Sequence, residues 1–555
     1  MNKKIIKTCS VVLLSTTLLF STKGISTVEA SKRDDVMQTK YTWDHPGSSF
    51  PVLLPGKPKL AGMAEAPLKE MDSIINDAIT QKVMPGAVTY VARKGVTVKH
   101  QAYGYAYRYT DDQFTETNQP IQMKKDTIFD IASISKIFTS IAAMQLYEKG
   151  KFKLDDPVAK YIPEFAENGK ETVTIRQLMT HTSGFEPGIL VYKMGTSRAD
   201  RLQIVLKHQL TNAPGTTYTY SDLNMITLGV LVERLSGQRQ DEYVKKHITK
   251  PLGMKDTMYN PPASLKSRIA ATEYQPWTNR GLVWGQVHDE NSWSLDGVAG
   301  HAGVFSTAND LAILGQTFLN EGKYGHSRIL KASTVKLMEK NMNQAFPGDD
   351  HGLGYELNQG WYMDGFADEN TMGHTGYTGT SLVISPKNQT IVILLTNRVH
   401  PSRNTVSTNQ TRRLVARQAG DAIPVDMKGK KQAWFAGYGD NKKAILQAEV
   451  NSKKPSTLTF QTWYRIENDA DYGKVEISND GESWTSLGMG YTGSSVNWKK
   501  ATYSIPEGTK FIRFQYETDA TVNGRGWYIA DPQIQSKGKK VKLHFTSTDW
   551  ELRNR

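Results

Sequence analysis

The 555-residue chain contains a single cysteine, Cys9, and it stands in the first thirty residues. Without Cys9 the rest of the chain has no disulfide, no thiol nucleophile and no thiolate metal site. Nor does any apolar run reach the roughly 20 residues that a membrane-spanning helix needs. The sequence shows no zinc-finger, RNA-binding or homeodomain pattern, so nucleic acid is not an expected partner. It also shows no strong internal repeat. With 38% hydrophobic and 22% charged residues, the composition is that of an ordinary soluble protein with enough apolar mass for a full core, not of a disordered or collagenous chain. The length implies more than one domain.

The N-terminus has the layout of a secretory signal peptide. The basic start MNKK is followed by the ten-residue apolar stretch VVLLSTTLLF and the small-residue site Val28-Glu29-Ala30. Cleavage near Ala30 is therefore expected, giving a bacterial protein that is secreted or associated with the cell wall. Residues 1–30 carry four lysines and one acid, so their loss takes the formal charge from +13 to +10. The remaining charge is spread along the chain, with short clusters such as Lys428-Gly429-Lys430-Lys431. A basic surface of this kind suits a soluble protein and admits contact with a polyanion such as teichoic acid.

Residues 31–60, interrupted by Pro46, Pro51, Pro55 and Pro58, read as an extended leader. A helical pattern follows over Ala64–Ile79, then a β-hairpin around Lys94-Gly95. Residues 134–150 are helical in pattern, and further helical stretches run between 155 and 345. Strand signals return at 381–385 and 390–396, and a last helix ends near Ala422. The order strands, helices, strands, helix predicts an α+β domain over 61–425, whose sheet draws on both ends of the segment. A basic linker is expected over 426–440. Short β-rich runs over 441–555 predict an all-β sandwich. The chain beyond residue 425 holds six of the eleven tryptophans, which makes stacking on glycan rings one use for this module and core packing the other.

Three motifs carry the chemistry. Ser133-Ile134-Ser135-Lys136 places a hydroxyl and an ammonium one turn apart at the start of a predicted helix. Lysine takes the serine proton only if its own pKa is lowered, and the helix N-terminus offers N–H groups to a developing oxyanion. Tyr220-Ser221-Asp222 supplies a phenol able to shuttle a proton beside a lysine. His374-Thr375-Gly376 lies in a glycine-rich strand edge that lets a substrate backbone approach closely. His288, Asp289 and His301 match no standard zinc spacing, and no loop pattern makes Asp469, Asp471, Asp519 and Asp531 a calcium site. His181 is expected to fix a loop in the helical region.

In this order the motifs resemble those of the serine β-lactamase and penicillin-binding-protein superfamily, in its class C-like branch of D-peptidases and esterases. The segments Thr174–Gly184 and Gly300–Ala312 are similar to two further strings of that branch, and Gly285–Asn291 resembles penicillin-binding protein 4B and its relatives. The resemblance covers about residues 65–420. It implies an antiparallel sheet flanked by helices, with a helical subdomain. It makes Ser133 the acylated nucleophile, Lys136 its base or proton relay and Tyr220 the partner of the leaving group. The N–H groups of Ser133 and Tyr377 would form the oxyanion hole, while Asp222, His374, Thr375 and Gly376 hold the substrate. No metal or organic cofactor is implied. The expected substrates are peptidoglycan peptides ending in D-Ala-D-Ala, with β-lactams as covalent ligands. An ester of D-alanine, a D-amino peptide or a β-lactam is the alternative substrate, and a catalytically weak wall-binding protein the alternative role. Two departures from the branch stand out. Asp222 replaces the usual asparagine, and a carboxylate accepts hydrogen bonds but cannot donate them. His374 stands where many β-lactamases have lysine. Both changes favour a peptidase or esterase over a β-lactamase.

Overall fold

The computed structural model describes residues 39–555 apart from 451, 537–538, 542 and 548, so the expected signal peptide lies outside the described residues. A central antiparallel sheet organises the first domain. Strands β1 (Gly86–Arg93) and β2 (Val96–Tyr109) form the hairpin, and β3 (Met372–Thr375), β4 (Ser381–Ser385) and β5 (Thr390–Thr396) return more than 260 residues later. The spatial order is β2-β1-β5-β4-β3. β1 and β5 join the two ends of the segment, with Tyr90 opposite Ile393.

Every residue of β1 and β5 is buried, because helices cover both faces of the sheet. Side chains alternate between two cores with the period of two that a strand imposes. Val88, Tyr90, Ala92, Ile391, Ile393 and Leu395 enter the core shared with α2 (Ser135–Glu148), α3 (Asp222–Ser236) and α4 (Ala308–Leu319). Ala87, Val91, Val392 and Leu394 enter the core shared with α1 (Glu65–Thr80) and α5 (Asn409–Asp421). A buried aliphatic side chain of this kind contributes about 1.5–3 kcal/mol, so the two cores dominate the stability of the domain. α2 and α3 are buried almost all round, and this fixes the two segments that carry the first and second motifs.

The leader is fixed where it is described. Trp43 is buried, and the Arg93 guanidinium donates to the carbonyls of Tyr41, Thr42, Ala61 and Gly62 at 2.8–3.1 Å. The stretch 426–440, expected to be a linker, contains the strand Ala433–Phe435, which pairs with Gly526–Ser536 and Glu551–Arg553. Ala433 and Phe435 are both buried there, so the polar residues around them do not make the whole stretch a tether.

The C-terminal module consists mainly of two packed antiparallel sheets. One is built on Lys499–Ile505, Ser456–Arg465, Gly526–Ser536 and Ala433–Phe435, the other on Tyr472–Ser478, Phe511–Glu517 and Lys443–Glu449. Leu446, Phe460, Phe514 and Trp527 fill the space between them. Of the tryptophans weighed for stacking, Trp463, Trp527 and Trp550 are core residues. Trp484 lies under Arg513 and Trp498 under Lys430. Asp421, at the end of α5, pairs with Arg525 and Arg553 of the module at 3.4 and 2.5 Å. Arg413 pairs with Asp440. Among the described residues no helix is long and apolar enough to cross a membrane.

Candidate active site

The first motif sits on a tight turn. Phe129–Asp130 ends a short strand, Ala132 adopts φ +46°, and Ala132–Ile134 forms a 3-10 turn leading into α2. Buried Asp130 holds the turn by accepting from the N–H groups of Ala132 at 2.8 Å and His288 at 2.6 Å. Ser133 thus stands at the mouth of a buried helix, and Lys136 one turn on is 1% exposed.

The Lys136 ammonium is the centre of the constellation. It lies 2.9 Å from Ser133 Oγ, 2.8 Å from Asp222 Oδ1 and 3.2 Å from the His301 carbonyl, and 4.8 Å from the centre of the Tyr220 ring. Burial alone would lower its pKa, but Asp222 and Tyr220 outweigh burial and raise it above the ordinary value. The lysine is therefore a cation at rest. Burial and the Asp222 charge, against the pull of Lys136, push the Tyr220 phenol up to about 12. Both groups carry their protons at neutral pH: Asp222 and Tyr220 hold that of Lys136, and burial above all holds that of Tyr220.

The second motif is positioned by the loop 181–187. His181 Nδ1 accepts from the Ser221 N–H at 3.1 Å, Ser221 Oγ donates to the Glu186 carbonyl, and the Asp222 N–H donates to the Pro187 carbonyl. His181 does fix a loop, and the loop it fixes carries Tyr220. Burial drives its pKa well down, so it is a neutral acceptor.

The third motif is sutured to the nucleophile turn. Thr378 Oγ1 donates to the Asp130 carbonyl at 2.7 Å and Thr380 Oγ1 to that of Ile131 at 3.2 Å. A Cβ on Gly376 would lie 2.1 Å from Thr380 Oγ1 and 2.5 Å from the Ile131 carbonyl oxygen, so only glycine fits. Thr375 and Tyr377 face the cleft, and Tyr377 is half exposed. His374 is buried, with its ring 6.0 Å from that of Tyr220 and Nδ1 2.7 Å from the Thr375 carbonyl. Burial, helped by the Lys136 charge, lowers its pKa to about 3, which leaves it neutral.

Ser133, Tyr220, Thr375, Gly376 and Tyr377 share one cleft of about 360 Å³. Its other walls, Glu356, Trp361, Arg398 and Arg412, were missed in the sequence. They lie on segments without a motif. Arg412 donates to the carbonyls of Gly376 and Thr380 at 2.7 and 3.0 Å. Burial lowers it to about 10, where it is still a cation at neutral pH. Burial also raises Glu356 to about 7.

The residues weighed for a metal fall into two places. His288 pairs with buried Glu273 at 2.8 Å, whereas His301 pairs with Asp289 at 2.8 Å. Potential ligand atoms of Asp222, Asp289 and His301 lie within 4.8 Å of one another, but the Lys136 ammonium already supplies a counter-charge to Asp222. Asp471 and Asp519 come together with Glu467 in the sandwich, without Asp469 or Asp531.

A family model described as Beta-lactamase matches residues 71–417, more than half of the chain. The chain belongs to the β-lactamase family. This family groups serine β-lactamases with penicillin-binding proteins, and makes the chain one of its serine-hydrolase folds. An Escherichia coli K12 protein named "Putative D-alanyl-D-alanine carboxypeptidase" is 33% identical over 384 residues, which cover 64% of this chain and 87% of that protein. A Salmonella schwarzengrund protein with the same name is 33% identical over 383 residues, covering 63% and 87%. Among solved structures, EstCE1, a hydrolase with promiscuous acyltransferase activity, superposes with a TM-score of 0.51 at 21% identity, covering 64% of this chain and 98% of its own. Unliganded simvastatin synthase (LovD) from Aspergillus terreus gives 0.50 at 22%, with the same coverage. These likenesses to solved structures establish the β-lactamase-like fold of the first domain.

Proposed function

We propose that this protein is an exported serine hydrolase that removes the terminal D-alanine from D-Ala-D-Ala stem peptides through an acyl-enzyme on Ser133. The observation that carries the reading is the Lys136 ammonium held between Ser133 Oγ and Asp222 beside Tyr220, where Ser133 and Tyr220 line a cleft that also presents Thr375, Arg398 and Arg412. A hydroxyl and two cations in the lining of one cleft suit the carboxylate of a peptide C-terminus. The names borne by the relatives that are 33% identical support the same substrate class, and the signal-like N-terminus supports export to where that substrate is.

In the proposed reaction the acylating form is the one in which Lys136 has given up its proton to water; Ser133 Oγ then attacks the penultimate D-alanine carbonyl and its proton passes to the free Lys136 amine beside Tyr220. The carbonyl oxygen collects negative charge at the N-terminus of α2, where backbone N–H groups stabilise it. Tyr220 returns the proton to the leaving D-alanine nitrogen as the C–N bond breaks. Water then attacks the ester, gives its proton to the same pair and frees Ser133. Neutral His374 packs beside Tyr220 without adding a fourth positive charge to Lys136 and the two arginines.

The test is intact mass after incubation with benzylpenicillin and, separately, with a D-Ala-D-Ala pentapeptide, beside Ser133→Ala. The expected result is a penicilloyl adduct on the wild type alone and loss of one alanine from the peptide. An untouched peptide alongside rapid turnover of a D-alanyl ester would overturn the peptidase reading in favour of an esterase. An untouched peptide with no adduct and no ester turnover would leave a binding protein.

A further inference from the structure

A larger groove of about 900 Å³ runs between the hydrolase domain and the β-sandwich, and Trp361 lines both it and the catalytic cleft. The walls of the groove are held at fixed distance. Val522 of the sandwich packs on Gly360, where an added Cβ would meet it at 2.9 Å. The Arg465 guanidinium reaches across to the Ala367 carbonyl at 2.8 Å and Asp368 at 3.4 Å.

The lining carries charges that largely cancel among themselves. Arg465 faces Asp368 and Asp44, and Lys387 faces Asp368 and Glu369. No surplus of cations remains to hold a polyanion. The Gln359 amide is spent on Trp361 Nε1 and on the Leu357 and Gly348 carbonyls, so what remains for a ligand is the Trp361 ring, the Asn468 and Thr521 side chains beyond their bonds to Asp469 and Asp519, and Glu467. Glu467 Oε2 is buried without a hydrogen-bond partner. Burial, with Asp519 and Asp471 nearby, raises this carboxyl to about 7, so it is able both to donate and to accept. A tryptophan ring beside an amide, a hydroxyl and a carboxyl able to donate and to accept suits an uncharged polyhydroxyl chain, which offers apolar ring faces and many hydroxyls at once. It suits neither an acyl chain nor a phosphate polymer.

We propose that this groove binds the sugar chain that bears the stem peptide, so that the sandwich and the hydrolase domain together hold a glycan while its peptide enters the cleft at Ser133. The proposal rests on the peptidase reading above and gives the C-terminal module its role. It assigns glycan contact to the groove rather than to the buried tryptophans of the sandwich.

Two measurements test it. The first compares kcat/KM for a D-Ala-D-Ala pentapeptide with and without its attached disaccharide, in the wild type and in Thr521→Trp. Thr521 is exposed on the sandwich and lines the groove but not the catalytic cleft, so an indole there obstructs the groove alone. The wild type is expected to prefer the disaccharide-bearing peptide by about tenfold or more, mainly through KM, as one well-made set of contacts provides. Thr521→Trp should lose that preference and keep its rate on the bare peptide. Equal rates on both substrates in the wild type, or a preference that survives Thr521→Trp, would overturn the proposal. The second measurement is calorimetric binding of the N-acetylglucosamine tetramer to the wild type, Glu467→Gln and Thr521→Trp. Binding that weakens in Glu467→Gln and vanishes in Thr521→Trp supports the groove even if neither peptide is cleaved, a result that would sink the peptidase reading alone. No binding to the folded wild type would overturn the groove.

Discussion

Asp222→Asn is the most informative single change, because Asp222 raises the pKa of both Lys136 and Tyr220. The Lys136–Asp222 separation is 2.8 Å. At that distance Coulomb's law gives about 6 kcal/mol at an effective dielectric constant of ~20 and about 1.5 kcal/mol at ~80. With about 1.36 kcal/mol per pK unit, removing the charge lowers the Lys136 pKa by roughly 1–4 units. Asp222 is 30% exposed, so screening favours the lower half of that range, about 1–2 units. Burial of Lys136, now opposed mainly by Tyr220, pushes the same way. If free Lys136 amine receives the Ser133 proton, each unit is about a tenfold gain in acylation rate at neutral pH, so the variant should acylate roughly 10–100-fold faster.

The assay is the rate of acylation by a fluorescent penicillin from pH 6 to 10, with Asp222→Ala and Asp222→Glu as companions. The alkaline-rising limb should move to lower pH in Asp222→Asn and Asp222→Ala alike, and stay in place in Asp222→Glu. A gain confined to Asp222→Asn would mean that the new amide donor, not the lost charge, is responsible. A limb that moves by less than about 0.5 unit in both neutral variants, with melting temperatures unchanged, would refute the claim that Asp222 holds the lysine protonated.

Arg398→Gln should raise KM about tenfold for peptides with a free C-terminal carboxylate and leave their amides unaffected, since Arg398 lines the cleft as a carboxylate partner. Kinetics on the matched acid and amide check this. Gly376→Ala should cost roughly 1–3 kcal/mol and most of the activity, because its Cβ collides with Thr380 and the Ile131 carbonyl; denaturant melts and penicillin labelling read the two effects. Glu273 is held down to about 2 by His288 and Arg403 against burial. Its folded pKa lies below the unfolded one, so its contribution, about 3 kcal/mol, is present above about pH 4.5 and lost as pH falls toward 2. Glu273→Gln should therefore lower the melting temperature at neutral pH and flatten its dependence between those values.

The parts of the fold written as local periodicity were legible in the sequence. The paired strands at 381–385 and 390–396, the buried helix after Ser133 and the hairpin at Lys94-Gly95 each follow from apolar spacing or turn chemistry within a short window. The sandwich strands were legible for the same reason. The strand Ala433–Phe435 was not, because three residues amid lysines and glycines carry too little pattern, and only its partners at 526–536 and 551–553 define it. The structured leader was hidden in the same way. What fixes it is Arg93, about fifty residues on, whose burial among backbone carbonyls has no local signature.

The site divides along the same line. Ser133, Lys136, Tyr220 and the strand edge at 374–376 were legible because the chemistry demands fixed short spacings, and so was the carboxylate of Asp222 in place of an asparagine. The opposite wall imposes no such spacing. Arg398 and Arg412 reach the cleft from a loop and from α5, and Glu356 and Trp361 come from an edge strand and a one-turn helix. A pocket wall needs a charge or a ring at a point in space, and many routes of the chain lead there. A proton relay needs its groups within hydrogen-bond reach in the ground state, and a helix turn is the shortest way to provide it. The reaction class is therefore encoded locally and the substrate non-locally. That is why the motifs lead to a serine hydrolase, while the choice among peptide, ester and glycan-borne substrate turns on Arg398, Trp361 and the groove beside them.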